Sequence, residues 1–166
     1  MEKSLGKKNI AVFISGRGSN LKSLINYSKK KNSLIKIMLV ISNNTNAKGL
    51  KIANNFMIKN YAIKFKNRSI FEKQSLKLMK KYNIDMICLA GFMKIVSGNF
   101  IKKFANPILN IHPSLLPKYK GLNTHRRVLE NNEKKTGCTV HYVNQEMDGG
   151  EIILQREVKI SAEDTE

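Results

Sequence analysis

The sequence is poor in several residue types that define common protein classes. It contains no tryptophan, two cysteines and three prolines among 166 residues, and its 12 acidic residues stand against 30 basic ones. Cys88 and Cys138 form no CxxC pair and no Cys/His cluster at zinc-ligand spacing, so we expect neither a disulfide framework nor a structural zinc site. Cys88 lies in an apolar run, which favours a buried core thiol. No apolar run is long enough to span a bilayer.

The charge balance is the largest deviation in composition. A net charge of +18 permits a basic RNA-binding module. The basic residues are scattered, however, and lack an arginine-rich tract or interleaved aromatic residues, so we expect no nucleic-acid partner. A positive field would still attract small anionic substrates. Residues 1–8 lead into no apolar signal-peptide core, which indicates a cytoplasmic protein with no membrane partner.

Short apolar runs alternate with amphipathic stretches along the chain. This succession predicts an α/β fold with an open, mostly parallel, doubly wound (Rossmann-like) sheet and helices on both faces. We find no repeat or linker and expect one domain over residues 1–166. The apolar residues expected on one side of the third predicted helix are Ile70, Phe71, Leu78, Met79 and Tyr82. The predicted strands are 8–15, 35–42, 61–65, 85–90, 107–111, 136–143 and 151–160, and the predicted helices are 20–30, 47–56, 69–82 and 123–132.

A glycine turn, Gly16–Asn20, joins the first predicted strand to the first predicted helix. Backbone amides at such a helix N-terminus suit a phosphate group. A dinucleotide fingerprint would need a glycine where Leu21 stands and an acidic residue at 42–44, and a P-loop would need Gly-Lys-Ser/Thr. What remains is a monophosphate site, with Ser19 and Asn20 donating beside the backbone, or a plain helix cap by one of these side chains.

The segment Asn110–Pro117 is the most informative stretch. If the strand continues to His112, Asn110 and His112 point to the same side, at the carboxyl end where open α/β sheets bind ligands. An amide that donates to an oxyanion and an imidazole that exchanges protons near neutral pH suit acyl transfer. Asp148, in the turn 147–150, would favour the protonated form of His112 if the two were adjacent. A turn aspartate before two glycines is an equally good explanation.

Four segments are specific enough to indicate a family: ISGRGSN at 14–20, AGFMKIV at 90–96, LNIHPSLLPKYKGLNTH at 109–125 and MDGG at 147–150. In this order they resemble the phosphoribosylglycinamide formyltransferases, folate-dependent enzymes of purine synthesis. The resemblance covers nearly the whole chain. It implies a formyltransferase fold and formyl transfer from 10-formyltetrahydrofolate, as co-substrate, to the amine of glycinamide ribonucleotide, without a metal. Because the family continues into a C-terminal helical region, we expect that this end is lacking here.

The resemblance also implies roles for single residues. Asn110 matches a residue that contacts the formyl donor, His112 the proton donor, and Asp148 the carboxylate that favours its protonated form. The chain departs from the family's usual residues at Lys94, Lys120 and Asn123, none of which is catalytic. The residues that match the phosphate-binding turn are Gly18, Ser19 and Asn20, and those that match the folate site are Arg68, Met93, Lys94, Ile95, Val96 and Asn110.

Three alternatives stay open. Methionyl-tRNA formyltransferase shares the HPSLLP segment and would explain the basic charge, but it normally carries an additional RNA-binding domain. Formyltetrahydrofolate deformylase lets water replace the amine, and it normally carries a regulatory N-terminal domain. A basic RNA-binding module is the alternative outside enzymes. The sequence is compatible with a monomer or a homodimer.

Overall fold

A computed structural model of the protein describes residues 6–166, which divide into two compact units after Ile108. Residues 1–5, on which part of the localisation prediction rests, lie outside the described residues. The first unit contains β1 (Lys8–Ile14), α1 (Ser19–Ser28), β2 (Ile35–Ser42), α2 (Lys48–Asn55), β3 (Lys59–Ala62), α3 (Arg68–Lys81), β4 (Met86–Leu89) and α4 (Gly98–Phe104). The chain continues with β5 (Ile108–His112), α5 (Thr124–Glu130), β6 (Lys135–Tyr142) and β7 (Ile152–Lys159).

The first unit is a parallel sheet with the strand order β3-β2-β1-β4. Parallel neighbours need long crossovers, and helices supply them between successive strands. After β1 the chain adds two strands on one side and then returns to place β4 on the other side. The point between β1 and β4 is therefore a topological switch point, where open α/β sheets bind ligands at the carboxyl ends of their strands.

Helices cover both faces of this sheet. Alternate residues of β1 point to opposite faces, and Ile10, Val12 and Ile14 belong to a buried cluster with Leu21 and Ile25 of α1. On the opposite face, the Phe13 ring packs edge-on against Phe71 of α3, with ring centres 6.0 Å apart, and lies 6.2 Å from the ring of Phe100 in α4. Both faces of β1 are thus buried, as the doubly wound prediction requires.

The second unit pairs its strands antiparallel, in the order β5-β6-β7. In this register Asn110 lies opposite His141, and His112 lies opposite Thr139. Helix α5 buries Thr124 and Val128. In residues 6–166 we find no helix with both the length and the apolar character needed to cross a membrane.

Two short elements differ from the sequence expectation. Strand β3 begins at Lys59 and ends at Ala62, earlier than the predicted 61–65. The last hydrogen bond to β2 is made by the Ile63 N–H, which donates to the Ser42 carbonyl at 2.8 Å, and the chain then leaves the sheet. Helix α4 is absent from the prediction, although its buried residues Phe100 and Phe104 stand at helical spacing. Its start is fixed by Ser97, whose Oγ accepts the Phe100 N–H at 3.1 Å.

The predicted buried face of α3 is also partly wrong, because Ile70 is exposed. The Oδ1 atom of Asn67 accepts the N–H groups of Ser69 and Ile70 at 2.8 and 3.3 Å, so the helix begins at Arg68. Phe71 and Met79 are buried as expected, and Ser75 is buried beside them.

Candidate active site

Strands β5 and β6 carry four polar side chains on one face of the second unit. Residues that lie opposite each other in an antiparallel pair point the same way, so Asn110, His112, Thr139 and His141 share this face. His112 and His141 are only 4% and 2% exposed. Buried imidazoles need hydrogen-bonding partners, and the structure supplies them.

Asp148 is the shared partner of these side chains. Its Oδ2 accepts the Gly121 N–H at 2.8 Å and lies 3.4 Å from Nδ1 of His112. Its Oδ1 accepts from Nδ2 of Asn110 at 3.4 Å and lies 3.5 Å from Nε2 of His141. One largely buried carboxylate therefore contacts both polar residues of β5 and a second histidine of β6.

The backbone of the turn explains how Asp148 reaches this position. Its φ is 49°, in the left-handed region that aspartate enters more easily than most residues. A Cβ on Gly150 would collide with the Tyr142 carbonyl, and one on Gly149 would collide with the Glu146 side chain. The turn preference and the contact with His112 are therefore two properties of one residue, not competing explanations.

One ring nitrogen of His112 makes a hydrogen bond, and the other faces Asp148. Its Nε2 lies 2.9 Å from the carbonyl oxygen of Tyr119, which can only accept, so Nε2 carries a proton. Nδ1 is then the nitrogen that faces Asp148. The loop that provides the Tyr119 carbonyl is fixed by Ser114, whose hydroxyl donates to the Lys118 carbonyl at 2.7 Å. The Tyr119 hydroxyl in turn donates to Glu133 at 2.9 Å.

The ionisable groups around Asp148 influence each other. The contact with Asp148 raises the pKa of His141 above its usual value, with help from the Tyr142 carbonyl and against burial and the charge of Lys120. Burial raises the pKa of Asp148, but the contacts from His141 and the Gly121 N–H and the positive charges of both histidines outweigh it, so the pKa is lowered. Both shifts describe a carboxylate and an imidazolium that stabilise each other.

His141 is missing from the sequence prediction. The signal was present, since Thr139 and His141 are polar residues at alternate positions of a strand, as Asn110 and His112 are. Gly121 contacts Asp148 through its backbone N–H, and a side-chain pattern in the sequence cannot predict a backbone contact.

In the first unit, the glycine turn has an unusual helix start. Gly18, with φ 82°, takes the N-cap position of α1, and the exposed Ser19 and Asn20 are the first helical residues. The alternative of a side-chain cap by Ser19 or Asn20 is therefore wrong. A Cβ on Gly18 would lie 2.7 Å from Cα of Gly49, and the Gly49 N–H donates to the Gly16 carbonyl at 3.0 Å. Glycine is required where α2 approaches the turn, and the phosphate role of residues 18–20 stays a prediction.

The segment Met93–Val96 follows β4 and is fixed on both sides. Ser15, at the end of β1, accepts the Met93 N–H on its Oγ at 2.8 Å. Glu72 in α3 is buried and accepts both the N–H and the hydroxyl of Ser97 at 2.7 Å. Met93 and Ile95 are exposed, whereas Val96 is buried. The segment thus offers its backbone and two apolar side chains at the switch point of the sheet.

Arg68 and Lys94 are the charged members of the predicted folate set. Arg68 is the exposed first residue of α3, and within residues 6–166 it makes no hydrogen bond or ion pair to the segment 93–96. The Lys94 ammonium lies 5.5 Å from the ring centre of Phe65, which packs against Phe71.

Comparison with known proteins identifies the family. Residues 8–166 match the family described as Formyl transferase. Phosphoribosylglycinamide formyltransferase of Escherichia coli K12 is 42% identical over 161 residues, which cover 95% of this chain and 76% of that protein. The trifunctional purine biosynthetic protein adenosine-3 of Gallus gallus is 46% identical over 162 residues, which cover 96% of this chain but only 16% of that protein.

The similarity extends to three dimensions. The crystal structure of phosphoribosylglycinamide formyltransferase from Anaplasma phagocytophilum has a TM-score of 0.89 at 40% identity, covering 96% of this chain and 76% of that one. This agreement confirms the predicted formyltransferase fold. The chain therefore belongs to the formyl transferase family, in its phosphoribosylglycinamide formyltransferase branch.

Proposed function

We propose that this chain transfers the formyl group of 10-formyltetrahydrofolate to the amine of glycinamide ribonucleotide, giving formyl-glycinamide ribonucleotide in purine synthesis. Formyl transferases take a formyl-folate as co-substrate. The observation that carries the proposal is the Asp148 carboxylate in contact with both Asn110 and His112. An amide, an imidazole and a carboxylate around one point are the groups that acyl transfer to an amine needs.

The reaction requires no covalent bond to the protein. The lone pair of the substrate amine forms a bond to the formyl carbon, and the carbonyl oxygen becomes a negatively charged oxygen of a tetrahedral intermediate. The NH₂ group of Asn110 donates to that oxygen, and the positive charge of His112 in its protonated form stabilises it further. The bond to the folate nitrogen then breaks. That nitrogen receives the proton that the attacking amine loses, through His112 or a water molecule held by Asp148.

The substrate-binding roles are part of the same proposal. Residues 18–20 bind the ribonucleotide phosphate, supported by the exposed helix N-terminus that they form. The folate is bound by the backbone of the segment after β4, supported by its position at the switch point. The residues assigned to the folate are Arg68, Met93, Lys94, Ile95, Val96 and Asn110.

Three formyl acceptors separate the proposal from its enzymatic alternatives. With full-length protein and 10-formyltetrahydrofolate, we expect rapid transfer to glycinamide ribonucleotide, little to initiator methionyl-tRNA and slow loss to water. Faster formylation of the tRNA would favour methionyl-tRNA formyltransferase, and acceptor-independent release of formate would favour the deformylase.

His112→Ala tests the role of the imidazole in the same assay. We expect kcat to fall by about 10²–10⁴-fold, the usual contribution of a positioned general acid or base. His125→Ala is the control, since His125 is exposed on α5. Near-normal turnover by His112→Ala would contradict the assignment.

A further inference from the structure

His141 has one nitrogen with a fixed proton and one that can titrate. Its Nδ1 lies 2.8 Å from the carbonyl oxygen of Tyr142, and since that oxygen only accepts, Nδ1 is the donor in either charge state. The gain or loss of a proton therefore takes place at Nε2. This atom is 3.2 Å from Nδ2 of Asn110 and 3.5 Å from Oδ1 of Asp148.

The charge state of His141 decides which end of the Asn110 amide fits beside it. Neutral His141 presents a lone pair on Nε2, which accepts a proton from the Asn110 NH₂ group. Protonated His141 presents an N–H, which repels an NH₂ group and instead donates to an amide oxygen. The two ends of a carboxamide have nearly the same shape, so rotation of the Asn110 side chain exchanges them within the same space.

The orientation of this amide matters for the chemistry. When the NH₂ group is shared between His141 and Asp148, as the contacts of 3.2 and 3.4 Å describe, only the carbonyl end of Asn110 remains for the reacting group. A carbonyl cannot stabilise a developing negative oxygen. When Oδ1 turns towards His141, the NH₂ group is released and becomes the required donor. The rotation also brings Oδ1 to the place that Nδ2 occupies, 3.4 Å from Oδ1 of Asp148, so it requires the positively charged Nε2–H of His141 beside the two oxygens.

We propose that His141 is a positioning residue, which in its protonated form holds the carbonyl of Asn110 and so presents the Asn110 NH₂ group to the oxyanion. This inference rests on the proposed formyl transfer. Asp148 favours the proton on His141 and Lys120 opposes it. His112, on β5, contacts the same carboxylate through its Nδ1 atom. His141 makes no contact with the reacting atoms in this scheme and acts only through Asn110.

A double-mutant cycle tests the coupling. His141→Phe should lower kcat by about 10-fold or more, approaching the effect of losing an oxyanion donor, with the KM for glycinamide ribonucleotide changed little. His141→Phe added to Asn110→Ala should cause no further loss, because the residue through which His141 acts is already missing. Losses that multiply would overturn the proposal. His141→Gln keeps a polar side chain without a titrating group and serves if the phenylalanine variant folds poorly.

A second readout needs no substrate. The side-chain ¹⁵N-amide signals of Asn110, identified by their loss in Asn110→Ala, should shift with pH at the midpoint of the His141 ring signals. The shift should disappear in His141→Gln and persist in His125→Gln, which removes an exposed histidine instead. Asn110 signals that ignore pH, or that titrate equally in His141→Gln, would overturn the proposal. A failure of the formyl acceptor assay would leave this titration intact, so the two proposals fail separately.

Discussion

A single carboxylate, Asp148, sets the electrostatics of the candidate site at the scale of the residue. Its two oxygens face two histidines, an asparagine amide and a backbone N–H. Charge-assisted contacts of this kind are stronger than neutral hydrogen bonds, and loss of one partner leaves the others unsatisfied. The left-handed φ of 49° limits which residues can replace it without strain, since asparagine enters that conformation more readily than most residues and β-branched residues enter it least.

Asp148→Asn is therefore the replacement that isolates the charge. A carboxyl with a lowered pKa adds stability above its unfolded pKa, and this contribution is lost as the pH falls through the folded pKa. A histidine with a raised pKa adds stability below its unfolded pKa, and this is lost as the pH rises through the folded pKa. Both contributions are complete only between about pH 4 and 6.5.

We expect Asp148→Asn to lower the free energy of unfolding by about 2 kcal/mol within this window and by less on either side. Urea unfolding of both proteins across the pH range measures the difference. Asp164→Asn, which changes an exposed carboxylate, should show no such maximum. A deficit that is independent of pH would contradict the ionic origin of the effect.

At the scale of elements, long periodic segments were the ones open to prediction. Strand β2 and the alternation that brings Asn110 and His112 to one face follow from apolar patterning alone. Helix α4 was missed although Phe100 and Phe104 stand four residues apart, and the caps Asn67 and Ser97 decide where α3 and α4 start. The bounds of β3 depend on its pairing with β2. The N-cap at Gly18 depends on how closely another helix approaches, which is a tertiary property.

The close approach of α2 to the glycine turn yields a prediction for Gly49. Alanine normally stabilises a helix relative to glycine by about 0.5–1 kcal/mol. Here the added Cβ would lie 2.5 Å from Cδ1 of Ile14 and 3.3 Å from Cα of Gly18. We expect Gly49→Ala to destabilise the protein by about 1–3 kcal/mol through overpacking.

Thermal or urea unfolding of Gly49→Ala measures this effect against Gly16→Ala. Position 16 is the matched control, because a Cβ there would meet nothing within 4 Å. We expect Gly16→Ala to be nearly neutral. Equal stabilities of the two variants would show that α2 can move away from the turn without cost.

The net charge of +18 is a property of the whole molecule, and we expect it to affect the rate of substrate binding. The proposed substrates are anionic, and a positive field accelerates the encounter of opposite charges. Between ionic strengths of about 0.01 and 0.15 M the screening length falls from about 30 to 8 Å.

Among the predictions made for the whole molecule, the family and the fold are confirmed. A single domain over residues 1–166, the absence of a metal and the oligomeric state stay predictions.

We expect kcat/KM for glycinamide ribonucleotide to fall severalfold, by up to about 10-fold, over this range of salt, with kcat nearly constant. Steady-state kinetics at fixed pH in sodium chloride test this. A flat kcat/KM would show that the charge plays no part in substrate capture. Tight, steeply salt-dependent binding of RNA would instead revive the alternative of an RNA-binding module.

Because Asn110 must lie opposite His141, the site depends on whether an odd or an even number of residues is inserted into or deleted from β6. Deleting one residue from β6 ahead of His141 would exchange the two faces of the strand, so that an apolar neighbour took the histidine's place. Deleting two would restore the faces at a shifted position. Substitutions in this hairpin therefore change the site gradually, whereas a change in length by one residue exchanges the two faces of the strand. We expect natural variation in length to be confined to the connections on either side of β6.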